Sequence, residues 1–256
     1  MPADPTDTPE IVTVGEGFCV RQGVDNIAWI DLGEFAVVVD ALENTHLEAE
    51  VFAAIESTLG AEPVRYLINT HTHCDHVALN GAFQRRYGTE IINQRTVRIP
   101  SDGRWFEGSR RKVLMLPLSG CHSNEDCIVW VPRDRALFAG DLFGWGLIPL
   151  TRALDAEISG RLLDAYARMI EFDAGVVIPG HGPLCTTAEL KRWVEYFNRL
   201  IEQVRGAVAA GRDDTQIERE ILPPEDMLTW WRFVQWKHED SLGKVLSAVR
   251  HGRLEV

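Results

Sequence analysis

No run of about 18 or more consecutive apolar residues occurs in the chain, so none of it is expected to cross a membrane as a helix. Positive charge is also short: 26 Lys and Arg stand against 38 Asp and Glu, a net charge of −12. Such a surface repels a phosphate backbone or an anionic bilayer, which excludes a general nucleic-acid or membrane-surface binder. Cysteine is sparse. The five present (Cys19, Cys74, Cys121, Cys127 and Cys185) are odd in number and scattered, unlike a disulfide framework. Residues Met1 to Asp7 lack the basic start and apolar segment of a secretory signal. These absences predict a soluble protein in a reducing, cytoplasmic compartment, with residues 1–10 as a disordered lead. Linker-like shifts in composition and low-complexity segments are missing too. With 256 residues, 45% of them apolar, the expectation is one domain, 1–256, with a sizeable core and a helical C-terminal extension over about 213–256.

What is present begins with short β-rich runs. Phe18-Cys19-Val20, Ile27 to Ile30 and Phe35 to Val39 are divided by Gly and Asp, and the Leu32-Gly33-Glu34 turn predicts a hairpin between the last two. Thr45 with Glu48 is a capping-box pattern ahead of a helix carrying Leu47, Val51, Ala54, Ile55 and Leu59. Val64 to Ile68 reads as a buried strand, 77–87 as a helix, and Ile91-Ile92 as a short strand, before an irregular basic section over 93–112. Strands resume at Val113–Leu116, Cys127–Val131 and Ala136–Ala139. A helix follows over 158–171, then a strand at Gly175 to Ile178, then a long amphipathic helix capped by Thr186 and Glu189. Strands grouped together with helices at their ends predict an α+β fold, two packed sheets covered by helices rather than a single βαβ sheet.

One stretch concentrates the chemistry. His71-Thr72-His73-Cys74-Asp75-His76 places three imidazoles and a carboxylate just past the strand at 64–68. Neutral imidazoles and carboxylates are metal ligands. Three later residues repeat the arrangement of a polar side chain beyond an apolar strand: His122, Asp141 and His181. Five His and two Asp at strand ends suit two metal ions a few Å apart better than one.

His71-x-His73-x-Asp75-His76, with His122, the Phe138-Ala139-Gly140-Asp141 segment and Ile178-Pro179-Gly180-His181-Gly182-Pro183, resembles the ligand set of the metallo-β-lactamase superfamily, over about Asn26 to Pro183. The resemblance implies a four-layer αββα sandwich with the metals between the sheet edges. It implies His71, His73 and His122 on one ion, Asp75, His76 and His181 on the other, and Asp141 bridging. Two divalent ions follow, zinc foremost, with iron or manganese compatible with the same ligands. A metal-bridging hydroxide would attack an ester, lactone, thioester or amide carbonyl, with Asp75 and Asp141 as the catalytic carboxylates. The resemblance does not extend to a β-lactamase in particular, because those zinc enzymes generally lack an aspartate where Asp141 stands. Nor does Val77-Ala78-Leu79-Asn80-Gly81 repeat the Gly-Gly common after the motif in glyoxalase II-like thioesterases. The acidic charge disfavours the nucleic-acid-processing branch.

The expected substrate is a small molecule, anionic or aromatic. Arg95, Arg98, Arg104, Arg110, Arg111 and Lys112 crowd the basic section and offer clamps for a carboxylate, though they equally describe a solvated face. Trp105, and Phe143 with Trp145 just after Asp141, are candidates for lining a pocket together with Arg98 and Arg104. The Trp230 to Trp236 cluster reads as a helix packed on the core or as a homodimer face. Cys74 and Cys121, next to ligand residues, read as small buried fillers. A different enzyme class on the same fold is the alternative: an iron-dependent oxygenase or redox enzyme, or a metal-assisted decarboxylase. A non-catalytic structural metal site fits less well, because such sites favour four closed ligands, often thiolates.

Overall fold

Residues on successive positions of the central strands are buried on both faces, which requires a layer on either side of each sheet. The computed structural model describes residues 8–60, 62–150 and 152–255, and shows how that requirement is met. Among the described residues, β1 (Glu10–Gly15), β2 (Phe18–Gln22), β3 (Ile27–Asp31), β4 (Ala36–Val39), β5 (Val64–Ile68) and β6 (Glu90–Ile92) form one sheet in sequential order. The first four make an antiparallel meander, including the expected β3–β4 hairpin. The last three are parallel, joined through α1 (Glu48–Leu59) and α2 (Asn80–Tyr87). The second sheet is built from β7 (Arg104–Glu107), β8 (Lys112–Pro117), β9 (Cys127–Val131), β10 (Ala136–Gly140) and β11 (Val176–Pro179), in the order β11-β10-β9-β8-β7. Only β10–β11 is parallel there, with α3 (Ala156–Glu171) as the crossover. The helices α4 (Thr187–Ala209), α5 (Asp214–Glu220) and α6 (His238–Arg250) follow.

The period-two alternation of the strands sorts their side chains into three cores. Ala28 and Ile30 of β3 face the second sheet, joining Phe18, Val20, Val37 and Val39 against Met115, Val129, Phe138 and Ile178. Their neighbours Ile27 and Trp29 face the other way, onto Val51, Phe52 and Ile55 of α1 and Phe83 of α2. On the far side Leu137 and Val177 meet Leu162 and Tyr166 of α3, Trp193 and Phe197 of α4, and Val245 of α6. The result is a four-layer αββα sandwich.

Several local expectations change. Thr45 does not cap α1: Thr45–Leu47 forms a 3₁₀ turn, the Glu48 N–H goes to the Thr45 carbonyl, and neither cap side chain bonds. The Thr186 capping box does form. The helix expected from residue 77 begins at Asn80, because Cys74–His76 makes its own 3₁₀ turn. The basic section is not wholly irregular; it holds edge strand β7, whose alternation of exposed Trp105 with buried Phe106 is masked by flanking charge. Glu10, placed in the disordered lead, opens β1 and pairs with Gln22; residues 1–7 of that lead lie outside the described residues.

The two sheets are joined by aromatic packing, with the Phe18 and Phe138 rings stacked at 5.9 Å across the central layer. Phe138→Ala removes a buried ring from that layer and is expected to cost about 3–5 kcal/mol. Chemical denaturation reads this; a loss below about 1 kcal/mol would contradict the packing described.

Candidate metal centre

Parallel pairing gives β4 with β5, and β10 with β11, a common direction, so their carboxyl ends share one edge of the sandwich. Both sheets are tied there through the backbone. Cys127 N donates to Thr70 O at 2.8 Å and Asn26 N to Gly180 O at 2.9 Å, while within the second sheet Gly180 N donates to Gly140 O at 2.9 Å. The loop after β5 supplies His71, His73, Asp75 and His76, the loop after β8 supplies His122, and β10 and β11 deliver Asp141 and His181. The structure brings all seven side chains together in two groups, His71-His73-His122-Asp141 and Asp75-His76-Asp141-His181. Within each group the potential ligand atoms lie within 4.8 Å of one another.

Asp141 belongs to both groups and divides its oxygens between them. Its Oδ2 lies 3.4 Å from His122 Nε2 and 3.7 Å from His71 Nε2, while its Oδ1 lies 3.2 Å from His76 Nε2 and 3.3 Å from His181 Nε2. Asp75 Oδ2 is 3.4 Å from His181 Nε2, and His73 Nδ1 is 2.9 Å from His122 Nε2. A tetrahedron of metal–ligand bonds about 2.0–2.1 Å long has edges near 3.4 Å, which is the scale of these separations. His71 Nε2, His76 Nε2 and Asp141 Oδ1 are buried and make no hydrogen bond within the protein. Polar atoms buried in this way are costly unless something else satisfies them. The donor set and spacing therefore fit two divalent cations.

The outward nitrogens are held by a second ring of contacts. His76 Nδ1 faces Asp40 Oδ2 at 3.0 Å, and His181 Nδ1 faces Asp25 Oδ1 and the Val24 carbonyl, both at 3.0 Å. His122 Nδ1 is 3.0 Å from the Pro149 carbonyl, and His71 Nδ1 is 3.3 Å from Thr70 Oγ1. Anchoring one ring nitrogen fixes the tautomer and aims the other inward. Asp40 is itself fixed by accepting from Thr70 N and Thr70 Oγ1, each at 2.8 Å. Beneath the motif, Asn69 Nδ2 donates to His76 O at 2.8 Å while its Oδ1 accepts from Asn93 and Asn80. Asn26 Nδ2 donates to Pro179 O and Gly182 O and so clamps the loop that carries His181. Gly180 must lack a side chain, since a Cβ there would meet Asp141 Oδ1 and sit 2.9 Å from His76 Cε1.

Charge follows the geometry. Burial, together with the neighbouring His76, drives the His71 imidazole down to about 2, which keeps it neutral and a good donor. Burial opposes a charge on His76, yet the carboxylates of Asp40 and Asp141 outweigh it and hold the imidazole up at about 10. His181 is likewise raised, chiefly by Asp141 against burial. Asp141 stays well below the usual carboxylate range, because His181 and His76 overcome its own desolvation. The His181 imidazole lowers Asp75 to about 2. Negative charge at the centre thus demands a cationic counterpart, which a divalent ion supplies more strongly than protons do.

A sequence profile of the Metallo-beta-lactamase superfamily matches residues 20–117 and 94–181, well over half of the chain. The chain belongs to the metallo-β-lactamase superfamily. Solved structures repeat the fold at low identity. A metallo-β-lactamase from Pontibacter korlensis is 18% identical with a TM-score of 0.62, over 74% of this chain and 98% of that one. The stereoselective inverting sec-alkylsulfatase Pisa1 from Pseudomonas sp. is 12% identical with a TM-score of 0.76, over 95% of this chain but 50% of its own length. Rubredoxin oxygen:oxidoreductase from Desulfovibrio gigas is 14% identical with a TM-score of 0.58, over 76% of this chain and 62% of that one. Comparison with curated protein sequences gives no match.

Other residues singled out from sequence lie elsewhere in this metallo-β-lactamase fold. Phe143 is fully buried, and Trp145 packs on it and donates Nε1 to Pro183 O at 3.1 Å. Both belong to the core cluster on the outer side of the second sheet. Trp230 packs on Phe143 and on Phe233, and Trp231 lies against Gly182, so part of the Trp cluster is core. Val234 and Trp236 of the same segment, a π-turn over Phe233–Lys237, are exposed. Arg104 covers the Phe106 ring and Lys112 covers Trp105, engaging both along the β7 edge, while Arg98 is exposed; none of the three joins the ligand cluster. Cys121 is buried, with its thiol pushed up to about 12, but Cys74 is exposed and no filler. Sequence reading missed Asp40, although it follows Val37-Val38-Val39 at a strand end, and missed Asp25, Asn26, Asn69 and Arg152.

The Asp40–His76 contact generates a direct expectation. Asp40→Asn leaves the side-chain volume unchanged but removes the charge that orients His76, and is expected to weaken metal binding at the second group about 10–100-fold. Competition with a chromophoric chelator measures this; unaltered affinity would remove Asp40 from the site.

Proposed function

We propose that the protein is a dinuclear metal-dependent hydrolase that cleaves an ester, lactone, thioester or amide bond of a small or medium-sized substrate. One observation carries the reading: Asp141 offers one carboxylate oxygen to each of two imidazole-rich groups, and His71 Nε2, His76 Nε2 and Asp141 Oδ1 at their centre make no hydrogen bond within the protein. His71, His73 and His122 with Asp141 would hold one ion, and Asp75, His76 and His181 with the same Asp141 the other. Zinc suits this set, and iron or manganese accepts the same ligands. Ions bound there would bring the pKa of water toward neutrality and polarise an acyl oxygen.

The chain's own residues do the rest. Asp75, held ionised beside His181 and 28% exposed, is the carboxylate placed to accept a proton from water and pass it to a leaving group. Asp40 and Asp25 keep His76 and His181 in the tautomer that presents Nε2. The Asn69 and Asn26 clamps hold two ligand loops in register, which limits reorganisation during the reaction. Hydrolases by name stand among the structures that share the fold, the Pseudomonas sulfatase and the Pontibacter β-lactamase. The oxidoreductase by name with the same fold keeps redox chemistry as the second reading, for which iron would suit the same ligands.

Metal content separates the two. Protein expressed without metal supplementation should carry about two zinc ions per chain, and His71→Ala should lose part of them. Chelation should abolish turnover of an ester, lactone and thioester panel, and added zinc should restore it. Asp141→Asn should lower turnover by more than the ~10–100-fold typical of an outer contact. Predominant iron with oxygen uptake would favour the oxidoreductase reading, and no metal after reconstitution would overturn both.

A further inference from the structure

Next to the first ligand group the surface folds into a crevice of about 230 Å³, lined by His73 and His122 of that group and by Thr72, Arg95, Glu125 and Arg152. Ser123 and Asn124 complete the wall, so every side chain lining it is polar or charged. Such a wall gives nothing for an aromatic ring to pack on and suits a charged group.

The hydrogen bonding shows which charge. Glu125 is occupied on both oxygens, Oε2 accepting from the Thr72 hydroxyl and Oε1 from Arg95 Nε. Arg95 spends only Nε in that contact and is 67% exposed. Arg152 donates from Nη2 to Gly120 O at 2.6 Å and makes no ion pair among the described residues. Two guanidinium groups therefore face one carboxylate that is already engaged, an excess of one positive charge on a protein whose net charge is −12. A cationic crevice on an otherwise acidic surface concentrates anions at that place. Guanidinium forks also match the paired oxygens of an oxyanion.

We propose that this crevice is an anion subsite: the substrate carries a second, non-reacting oxyanion group, held by Arg95 and Arg152 while its scissile bond lies at the ligand cluster. The proposal rests on the hydrolase reading for the word substrate, but the binding it describes does not depend on turnover. Arg95 comes from the section after β6 and Arg152 from the loop after Asp141, so the two halves of the fold each contribute one guanidinium to the crevice.

Calorimetric titration of zinc-loaded protein tests it. Propionate, butyrate and hexanoate are compared with the dicarboxylates succinate, glutarate and adipate, and with 3-sulfopropionate and 3-phosphonopropionate. At the best-fitting length the doubly anionic probe should bind at least about tenfold more tightly than the matched monocarboxylate. Arg95→Gln and Arg152→Gln should each reduce that advantage to about twofold. The sulfonate and phosphonate arms show which oxyanion is preferred. Equal affinity for singly and doubly anionic probes at every length overturns the proposal. So does an Arg152→Gln variant that weakens both probe classes alike, which would mean that Arg152 only supports the Gly120–Cys121 backbone. A dicarboxylate advantage together with a silent ester panel would retain the subsite and overturn the hydrolase reading instead.

Discussion

The Asp141 carboxylate sits between two clusters of imidazoles, and the surrounding structure is arranged to tolerate its charge there. A carboxylate removed from water is stable only when cations and donors replace its hydration. His76 and His181 provide part of that replacement on one oxygen, while His71 and His122 turn their Nε2 atoms toward the other. The demand spreads outward. Gly180 has no side chain because the carboxylate occupies its space, and Gly140 adopts a left-handed backbone with Thr70 against it. Asp40 and Asp25 then hold the imidazoles that face Asp141.

This arrangement works because two sheets present their strand ends to a single edge. Helical crossovers α1, α2 and α3 make β4–β5–β6 and β10–β11 parallel, and parallel strands end together. Backbone hydrogen bonds between the loops of opposite sheets then stop the ends from separating. The apolar layer behind them excludes water from all but the outer side. The C-terminal segment contributes as well: Trp231 packs on Gly182, next to His181, and Lys237 Nζ donates to Gly144 O at 2.8 Å in the loop after Asp141. The helices beyond α4 therefore brace the site edge as well as cover the second sheet.

The parts that sequence made legible were those with short-range causes. An apolar run followed by His or Asp is visible without a structure, and the seven residues read that way are the seven that converge. Short β-rich runs on either side of the Leu32-Gly33-Glu34 turn marked the β3–β4 hairpin, and Thr186 with Glu189 marked the start of α4. The same local grammar misled at Thr45, where a 3₁₀ turn placed the hydroxyl one turn too early to cap α1. At Phe143 and Trp145 nearness in sequence to Asp141 carried no information about burial, and both side chains are buried.

What the sequence alone determined, then, is the set of chemical groups and the order of strands that carries them, because both depend on residue type and spacing over a few positions. Tertiary structure decided which groups meet. Asp40 reaches His76 from the end of another strand, Asn26 holds a loop more than 150 residues away, and Arg152 and Arg95 line one crevice. Those pairings depend on how two sheets stack and where their edges align. No local pattern encodes that, because the contacts are made by backbone and side chains that are neighbours only after the layers have packed.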